Sequence, residues 1–507
     1  MSSKAVAKLG VIIGALLILS LVSAWAASGF ESLRGSLSFA ILFIIGWAIV
    51  AVAWRSIQTE GPPAWLFGLL VGGALLRLGL GLFWFHALPL WGYDTETQQA
   101  GFIMEDAFNR ETAAWNLAQS DAPLVVSFQG YSAYDQFGGL LFVDALVFRY
   151  LSPDVHIPQL TLVLAAVASG SGILFTWAFA NRLWRNATAK LAAWTFALFP
   201  EAVLLGSTQM REAFTAALFA AAIYFLLRYL DSQRRADFLG LATALVVSFL
   251  FSVPVFTGIV LVGLLIAGVQ RRIWEQIERK FIYWGVFLLA GALLAAMAII
   301  DFQDIPFLTE VNRQVDQAII ESGWIERTFR GIPSWARLPF VIVYGIFRPL
   351  LPAALIATVD VPVLWRAITI WRALGWTAML ALLFYASFLA TRAKLWKQLP
   401  GVLLAYNWVM LLVVSYRGVG DNWDNPRYRV TFAGLQAGIV AWALVQKRSD
   451  DKWLGRIVFA AAAMVLWFVP WYMRRYVDFS WPVVDIWQTV GLGLVSAGLY
   501  ILWDWSR

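Results

Sequence analysis

The stretch Leu90-Trp91-Gly92-Tyr93-Asp94-Thr95-Glu96 opens a polar segment that continues to about residue 151. Three apolar runs precede this segment and many more follow it, so it interrupts a strongly apolar chain. Acidic residues at one mouth of a helical membrane bundle are expected to include functional groups. Its eight carboxylates are Asp94, Glu96, Glu105, Asp106, Glu111, Asp121, Asp135 and Asp144.

The composition predicts an all-α, polytopic membrane protein. Hydrophobic residues make up 61% of the 507 residues and charged residues 14%, and the mean hydropathy is +0.71. Soluble domains are about half apolar and about a quarter charged. Apolar runs long enough to cross ~30 Å of hydrocarbon recur throughout the chain. We predict about fourteen spanning helices, at 10–28, 36–54, 64–87, 157–180, 190–207, 212–229, 237–252, 254–270, 281–301, 366–391, 399–415, 429–446, 456–473 and 481–502.

The basic residues predict the orientation. Under this assignment the basic connectors all fall on one side, which the positive-inside rule makes the cytoplasm. We therefore predict a multi-pass protein of the plasma or inner membrane with both termini cytoplasmic and the polar segment outside, together with 302–335 and 416–428. The connectors are 182–190, 228–235, 271–280, 392–397 and 447–456, together with Lys4 and Lys8.

Two regions at the outer side need a separate interpretation. The range 336–360 contains Arg348-Pro349 and Pro352, which break a helix, so it is predicted to be a re-entrant or juxtamembrane element. A pair of short crossings would also fit this range. In the polar segment, the capping-box spacing of Thr95 and Gln98 predicts a helix over 96–119. The apolar run 139–151 is too short to span and predicts a second helix lying in the interface.

The residue inventory limits the chemistry. Cysteine is absent and His86 and His156 are the only histidines, so thiolate catalysis, disulfides and zinc–thiolate sites are excluded. The net charge of +7 is explained by cytoplasmic Lys and Arg, and no nucleic-acid partner is expected. The sequence contains neither a phosphate-binding P-loop nor a Gly-rich dinucleotide fingerprint.

The order of motifs over roughly residues 60–450 resembles the GT-C superfamily of polyprenyl-phosphate-sugar-dependent glycosyltransferases, which includes the protein O-mannosyltransferases and the lipid A aminoarabinose transferases. Two features depart from the family pattern: three helices instead of one precede the acidic loop, and Thr95 separates its two acids. The motifs are Tyr93-Asp94-x-Glu96, Phe148-Arg149-Tyr150-Leu151-Ser152-Pro153, Phe179-Ala180-Asn181-Arg182-Leu183-Trp184, Ala189-Lys190-Leu191-Ala192-Ala193, Phe199-Pro200 and Asn425-Pro426-Arg427-Tyr428-Arg429.

This resemblance implies a membrane glycosyltransferase. Such an enzyme moves a hexose or pentose from a polyprenyl-phosphate donor to a glycan, lipid or protein acceptor on the outer face of the membrane. It implies a catalytic module at 64–450, with an added N-terminal hairpin at 1–63 and a C-terminal hairpin at 451–507. Three other classes stay open: a polysaccharide polymerase or ligase of the O-antigen type, a polytopic transporter, and a scaffold without catalysis.

Transfer of this kind needs a base for the acceptor hydroxyl or amine and cations for the phosphate leaving group. Asp94 is our first candidate for the base and Glu96 the second, although Asp94 could instead cap the helix that follows. The acids Glu105, Asp106 and Glu111 are interpreted as a solvated helix face. No cofactor and no metal are expected, although Asp94 and Glu96 have the oxygen ligands that a divalent cation would use.

Arginines on the predicted outer side are the candidates for phosphate binding, because a guanidinium suits bidentate contact with phosphate oxygens. Arg211, Arg348 and Arg427 are the preferred three, ahead of Arg417 and Arg429. A local ion pair with Glu212 or a neighbouring acid is the alternative for Arg211. Two further predictions are structural: Arg77 is embedded in a span and paired, for example with Glu201, and neither histidine is catalytic.

Overall fold

The computed structural model describes residues 3–28, 33–131, 133–270, 323–357, 361–417 and 425–506. All regular structure in these ranges is helical. The predicted span 281–301, most of the predicted outer segments 302–335 and 416–428, and the side chain of Arg417 lie outside the described residues. The chain divides into two compact units, Met1–Phe256 and Thr257–Arg507.

The first unit contains the polar segment and the helices on either side of it. Short 3₁₀ turns lie at Gln58–Glu60 and Leu124–Val126. The helices are α1 (Ser3–Ser28), α2 (Leu33–Ser56), α3 (Ala64–Trp91), α4 (Glu96–Gln99), α5 (Glu105–Gln119), α6 (Ser127–Gly130), α7 (Gly139–Leu151), α8 (Gln159–Leu198), α9 (Pro200–Gly206), α10 (Arg211–Ser232), α11 (Arg235–Phe251) and the start of α12 (Val253–Gln270).

The second unit contains the rest of α12 and the later helices. Two 3₁₀ segments lie at Leu395–Lys397 and Asn425–Phe432. The helices are α13 (Gly323–Gly331), α14 (Ser334–Phe347), α15 (Leu351–Ile356), α16 (Val363–Arg392), α17 (Leu399–Arg417), α18 (Ala433–Gln446), α19 (Trp453–Tyr476) and α20 (Ile486–Trp505).

The described ranges contain ten helices long and apolar enough to cross a membrane, which confirms the predicted all-α, polytopic class. The predicted spans 157–180 and 190–207 are arranged differently from the prediction. One long helix, α8, covers most of the first span and half of the second, and it is interrupted at Arg185, where φ is 69°. The predicted span 237–252 is the 17-residue helix α11.

A proline explains where α8 ends. Pro200 has no N–H, so the carbonyl of Phe196 loses the donor that a continuing helix would supply four residues later. The backbone is extended at Phe199, and a new helix, α9, begins at Pro200. Backbone carbonyls left open at membrane depth need other donors.

Arg77 of α3 supplies those donors. Its Nη2 donates to the carbonyl of Phe196 at 3.4 Å and its Nη1 to that of Ala197 at 3.2 Å. Its Nε donates to Oγ of Ser169 at 2.8 Å, and the guanidinium is fully buried. A Cβ at Gly206 would lie 2.7 Å from Cδ of Arg77, so α9 packs directly on this side chain. The predicted embedded Arg77 is therefore structural, and its described partners are backbone carbonyls and a serine.

Replacing this guanidinium should destabilise the first unit. We expect Arg77→Met to lower the free energy of unfolding by about 2–4 kcal/mol, because two buried carbonyls lose their donors at ~1–3 kcal/mol each. Denaturation of the purified full-length protein in detergent measures the change. Gly79→Ala on the exposed side of α3, where a Cβ meets nothing within 4 Å, is the matched control and should be neutral or slightly stabilising. Equal stability of Arg77→Met and wild type would refute the capping role.

Ion pairs join the basic connectors at the end of the first unit opposite to the polar segment. Arg182 contacts Glu60 and Asp231, each at 3.0 Å. Arg228 pairs with Asp237 at 2.9 Å. The structure thus brings the connectors 182–190 and 228–235 together with the turn between α2 and α3.

The predicted continuous helix over 96–119 is wrong, because it is broken between α4 and α5. Gly101 has φ +84° in this break, and a Cβ there would lie 2.7 Å from Cα of Phe85. The close approach to α3 therefore forces a turn inside a stretch of good helix formers. The second predicted helix, over 139–151, is present as α7.

Candidate functional site

Asp94 and Glu96 are exposed just after the last turn of α3. Thr95 is the N-cap residue of α4 and makes no side-chain capping bond, so Asp94 does not cap this helix. The side chain of Gln98 accepts from the backbone N–H of Tyr93 at 2.5 Å. Nε2 of Gln99 lies 3.5 Å from Oδ1 of Asp94, at the limit of a hydrogen bond. Within the described ranges, no ion pair holds either carboxylate.

A buried arginine ties the polar segment to the turn between α9 and α10. Arg110 of α5 donates to the backbone carbonyl of Gln209 and lies 3.8 Å from Oδ2 of Asp144 on α7. The side chains of Arg110 and Asp144 are 2% and 1% exposed. Nε2 of Gln209 donates back to the carbonyl of Pro158 at 3.0 Å. These contacts fix α5, α7 and residues 207–209 against one another.

Glu111 is buried, which overturns its interpretation as part of a solvated helix face; Glu105 and Asp106 are exposed as expected. Oε1 of Glu111 lies 2.6 Å from Nε2 of His156, whose ring stacks on Trp115 at 4.7 Å. Burial raises the pKa of Glu111, against the opposing effects of the hydrogen bond to His156 and the charge of Arg110. Burial likewise raises the pKa of Asp144 well above its ordinary range, although Arg110 opposes the shift.

Arg211, the first residue of α10, lies against the polar segment. Its Nη1 is 3.6 Å from Oδ1 of Asp135, and its Cζ is 5.2 Å from the centre of the Phe137 ring. The carboxylate is fully buried and the arginine side chain 18% exposed. The structure thus gives Arg211 a neighbouring acid from the polar segment as its ion-pair partner.

A narrow crevice lies between the end of α3, the loop at 101–103 and the turn at 207–209. It has room for about one water molecule. Trp84 is among its lining residues, and its Nε1 donates to Oγ of Ser207 at 2.9 Å. The crevice shows that the loop following Glu96 and the turn preceding Arg211 are neighbours.

In the second unit, the break predicted at Arg348-Pro349 is present. Helix α14 ends at Phe347, Arg348 is extended, the following peptide bond is cis, and α15 begins at Leu351. The side chain of Arg348 is buried, with its Cζ 5.6 Å from the Tyr344 ring.

Two side chains hold the backbone of this break. Nε1 of Trp376 on α16 donates to the carbonyl of Ile346 at 2.7 Å. Arg429 donates to the carbonyl of Arg348, and its Cζ lies 3.6 Å over the Trp376 ring. Both carbonyls belong to the open C-terminal end of α14, so Arg429 serves there as a structural donor. Arg427, two residues earlier, is buried beside Tyr428, with its Cζ 5.1 Å from that ring.

The predicted site residues therefore fall in both units. Asp94, Glu96 and Arg211 belong to the polar-segment end of the first unit, and Arg348 and Arg427 belong to the second. Within the residues that the structure describes, no group of three or more acidic or histidine side chains could hold a metal ion.

No protein-family model and no curated protein matches the chain. Among solved structures, the chain is similar to the archaeal oligosaccharyltransferase AglB from Archaeoglobus fulgidus in complex with an inhibitory peptide and a dolichol-phosphate, with a TM-score of 0.35 and 14% identity. The match covers 86% of this chain and 54% of that chain, so this chain spans about half the length of AglB. A likeness of this strength does not place the chain in a family.

Proposed function

We propose that this chain is a GT-C-type membrane glycosyltransferase. It moves a sugar from a polyprenyl-phosphate donor to a hydroxyl or amine acceptor at the outer face of the membrane. In the proposed step, Asp94 accepts the proton of the acceptor while the acceptor atom attacks the anomeric carbon. The bond from this carbon to the phosphate oxygen breaks, and polyprenyl phosphate leaves. The module at 64–450 performs the transfer, and no cofactor or metal is included.

The observation that carries the proposal is the position of Asp94. It follows a helix long and apolar enough to span the membrane, it is exposed, and no capping role or ion pair within the described residues occupies it. A carboxylate in this condition is available to an incoming acceptor. Glu96, exposed two residues later, is the second candidate for the same role.

The surface of α3 offers a route for the lipid part of the donor. Leu76, Phe83 and Leu90 are seven residues apart, so they share one side of the helix. They are 41%, 42% and 72% exposed. This apolar side leads to the loop that carries Asp94, so a polyprenyl chain lying along it would bring its phosphate near the carboxylates.

Arg211 supports phosphate binding at the same end. The 3.6 Å separation from Asp135 is an ion-pair distance and too long for a hydrogen bond, so the fork of the guanidinium is not used bidentately on that acid. Arg348 and Arg427, in the second unit, stay sequence-based predictions of phosphate ligands; each has an aromatic ring beside its guanidinium.

Binding of polyprenyl phosphate to the purified full-length protein tests the proposal without knowledge of the sugar or acceptor. We expect polyprenyl phosphate to raise the unfolding temperature in detergent and the uncharged polyprenol of equal length to raise it much less. Arg211→Met should reduce the difference between the two lipids. An equal response to both lipids would contradict a phosphate-binding site, and a transporter or scaffold would then be favoured.

A further inference from the structure

Asp135 is one of the eight acids of the polar segment, and in the structure each of its two oxygens has its own contacts. It lies in the turn that precedes α7 and is 3% exposed. Oδ2 accepts from the backbone N–H of Leu140 at 3.2 Å and from that of Leu141 at 3.1 Å. Because two amides of α7 hold one oxygen, the carboxylate has a fixed orientation.

The other oxygen of Asp135 faces Arg211. Oδ1 is 3.6 Å from Nη1 of Arg211, and the ring of Phe137, two residues later in the same turn, lies beneath the guanidinium. Arg211 occupies the first position of α10, where the positive end of the helix dipole disfavours a cation. A buried acid at this point offsets that cost and restricts the guanidinium to one location.

We propose that Asp135 is a positioning residue that acts through Arg211, holding its guanidinium in place for the phosphate of the lipid donor. This inference rests on the proposed function. It assigns Asp135 no contact with the donor: the carboxylate is buried, and its effect passes through the arginine. The turn at 135–137 thereby links the polar segment to the N-terminus of α10.

A double-mutant cycle on binding of polyprenyl phosphate tests this inference. Asp135→Asn retains a side-chain oxygen for the two amides of α7 and removes the charge that faces Arg211. We expect it to weaken binding roughly 3- to 30-fold, which lies within the range of coupling between residues in contact. In the Arg211→Met background, Asp135→Asn should cause little further loss. Unfolding temperatures of all four proteins show whether each variant is folded.

Different outcomes overturn different statements. The positioning role is overturned if Asp135→Asn binds polyprenyl phosphate as tightly as wild type, or more tightly. It is also overturned if the fold-losses of binding of the two single variants multiply in the double variant. If the wild-type protein does not distinguish polyprenyl phosphate from polyprenol, the proposed function fails and this inference fails with it. Asp121→Asn is the matched control, since this acid of the same segment is exposed and should leave binding unchanged.

Discussion

Asp94→Asn is expected to lower the rate of sugar transfer by about 10²–10⁴-fold, the usual contribution of a general base. The amide keeps the size of the side chain and loses the ability to accept the acceptor's proton. Since Asp94 is exposed and does not cap α4, the unfolding temperature should stay within the error of the wild-type value. The rate is measured in membranes that contain the overproduced protein. Each of a panel of polyprenyl-phosphate hexoses and pentoses is added, and the release of polyprenyl phosphate is followed.

Two comparisons make this result specific. Asp121→Asn changes another exposed acid of the polar segment and should transfer at the wild-type rate. Glu96→Gln separates the two candidate bases. If Asp94→Asn retains full activity while Glu96→Gln loses it, Glu96 is the base; if both variants retain activity, the assignment of the base to this stretch is wrong.

Arg110→Met should be among the most destabilising single changes in the first unit, at about 3–5 kcal/mol, the usual cost of removing one partner from a buried ion pair. The substitution leaves the buried carboxylate of Asp144 without its neighbouring cation and the buried carbonyl of Gln209 without this donor. We expect a lower unfolding temperature and faster proteolysis of the polar segment, both measured on the purified full-length protein.

The partner of Arg110 supplies a sharper control. Adding Asp144→Leu to Arg110→Met removes the stranded carboxylate, so the double variant should be more stable than Arg110→Met alone. Glu105→Gln, on the exposed side of the same helix, should change the stability by no more than about 0.5 kcal/mol. A double variant less stable than Arg110→Met would show that Asp144 is held by other partners.

The membrane helices were predictable because each carries its own signal. A long apolar run specifies a span without reference to any other part of the chain, and Arg348-Pro349 marks a helix break by local sterics alone. The turn at Gly101 was not predictable in this way. Its cause is the close approach of Phe85 on another helix, and the sequence around Gly101 otherwise favours a helix.

The candidate site shows the same division. The sequence identified the polar segment as a concentration of acids. It did not show that Asp94 is exposed whereas Asp135 and Asp144 are buried, because burial depends on tertiary packing. The nearly continuous apolar run 139–151, in which Asp144 lies, was the available signal that this acid would be buried. Pro200 in an apolar run signalled a carbonyl without a backbone donor, but nothing in the sequence indicated that Arg77 would supply the donor.

Arg77 also imposes an order on the biogenesis of the protein. Its carbonyl partners, on Phe196 and Ala197, lie 119 and 120 residues further along the chain, so α3 is synthesised long before they exist. An arginine at the centre of an inserting helix costs about 2.5–3.5 kcal/mol. The apolar remainder of α3 offsets this cost during insertion. The hydrogen bonds of Arg77 to Phe196, Ala197 and Ser169 can form only once α8 has packed against α3.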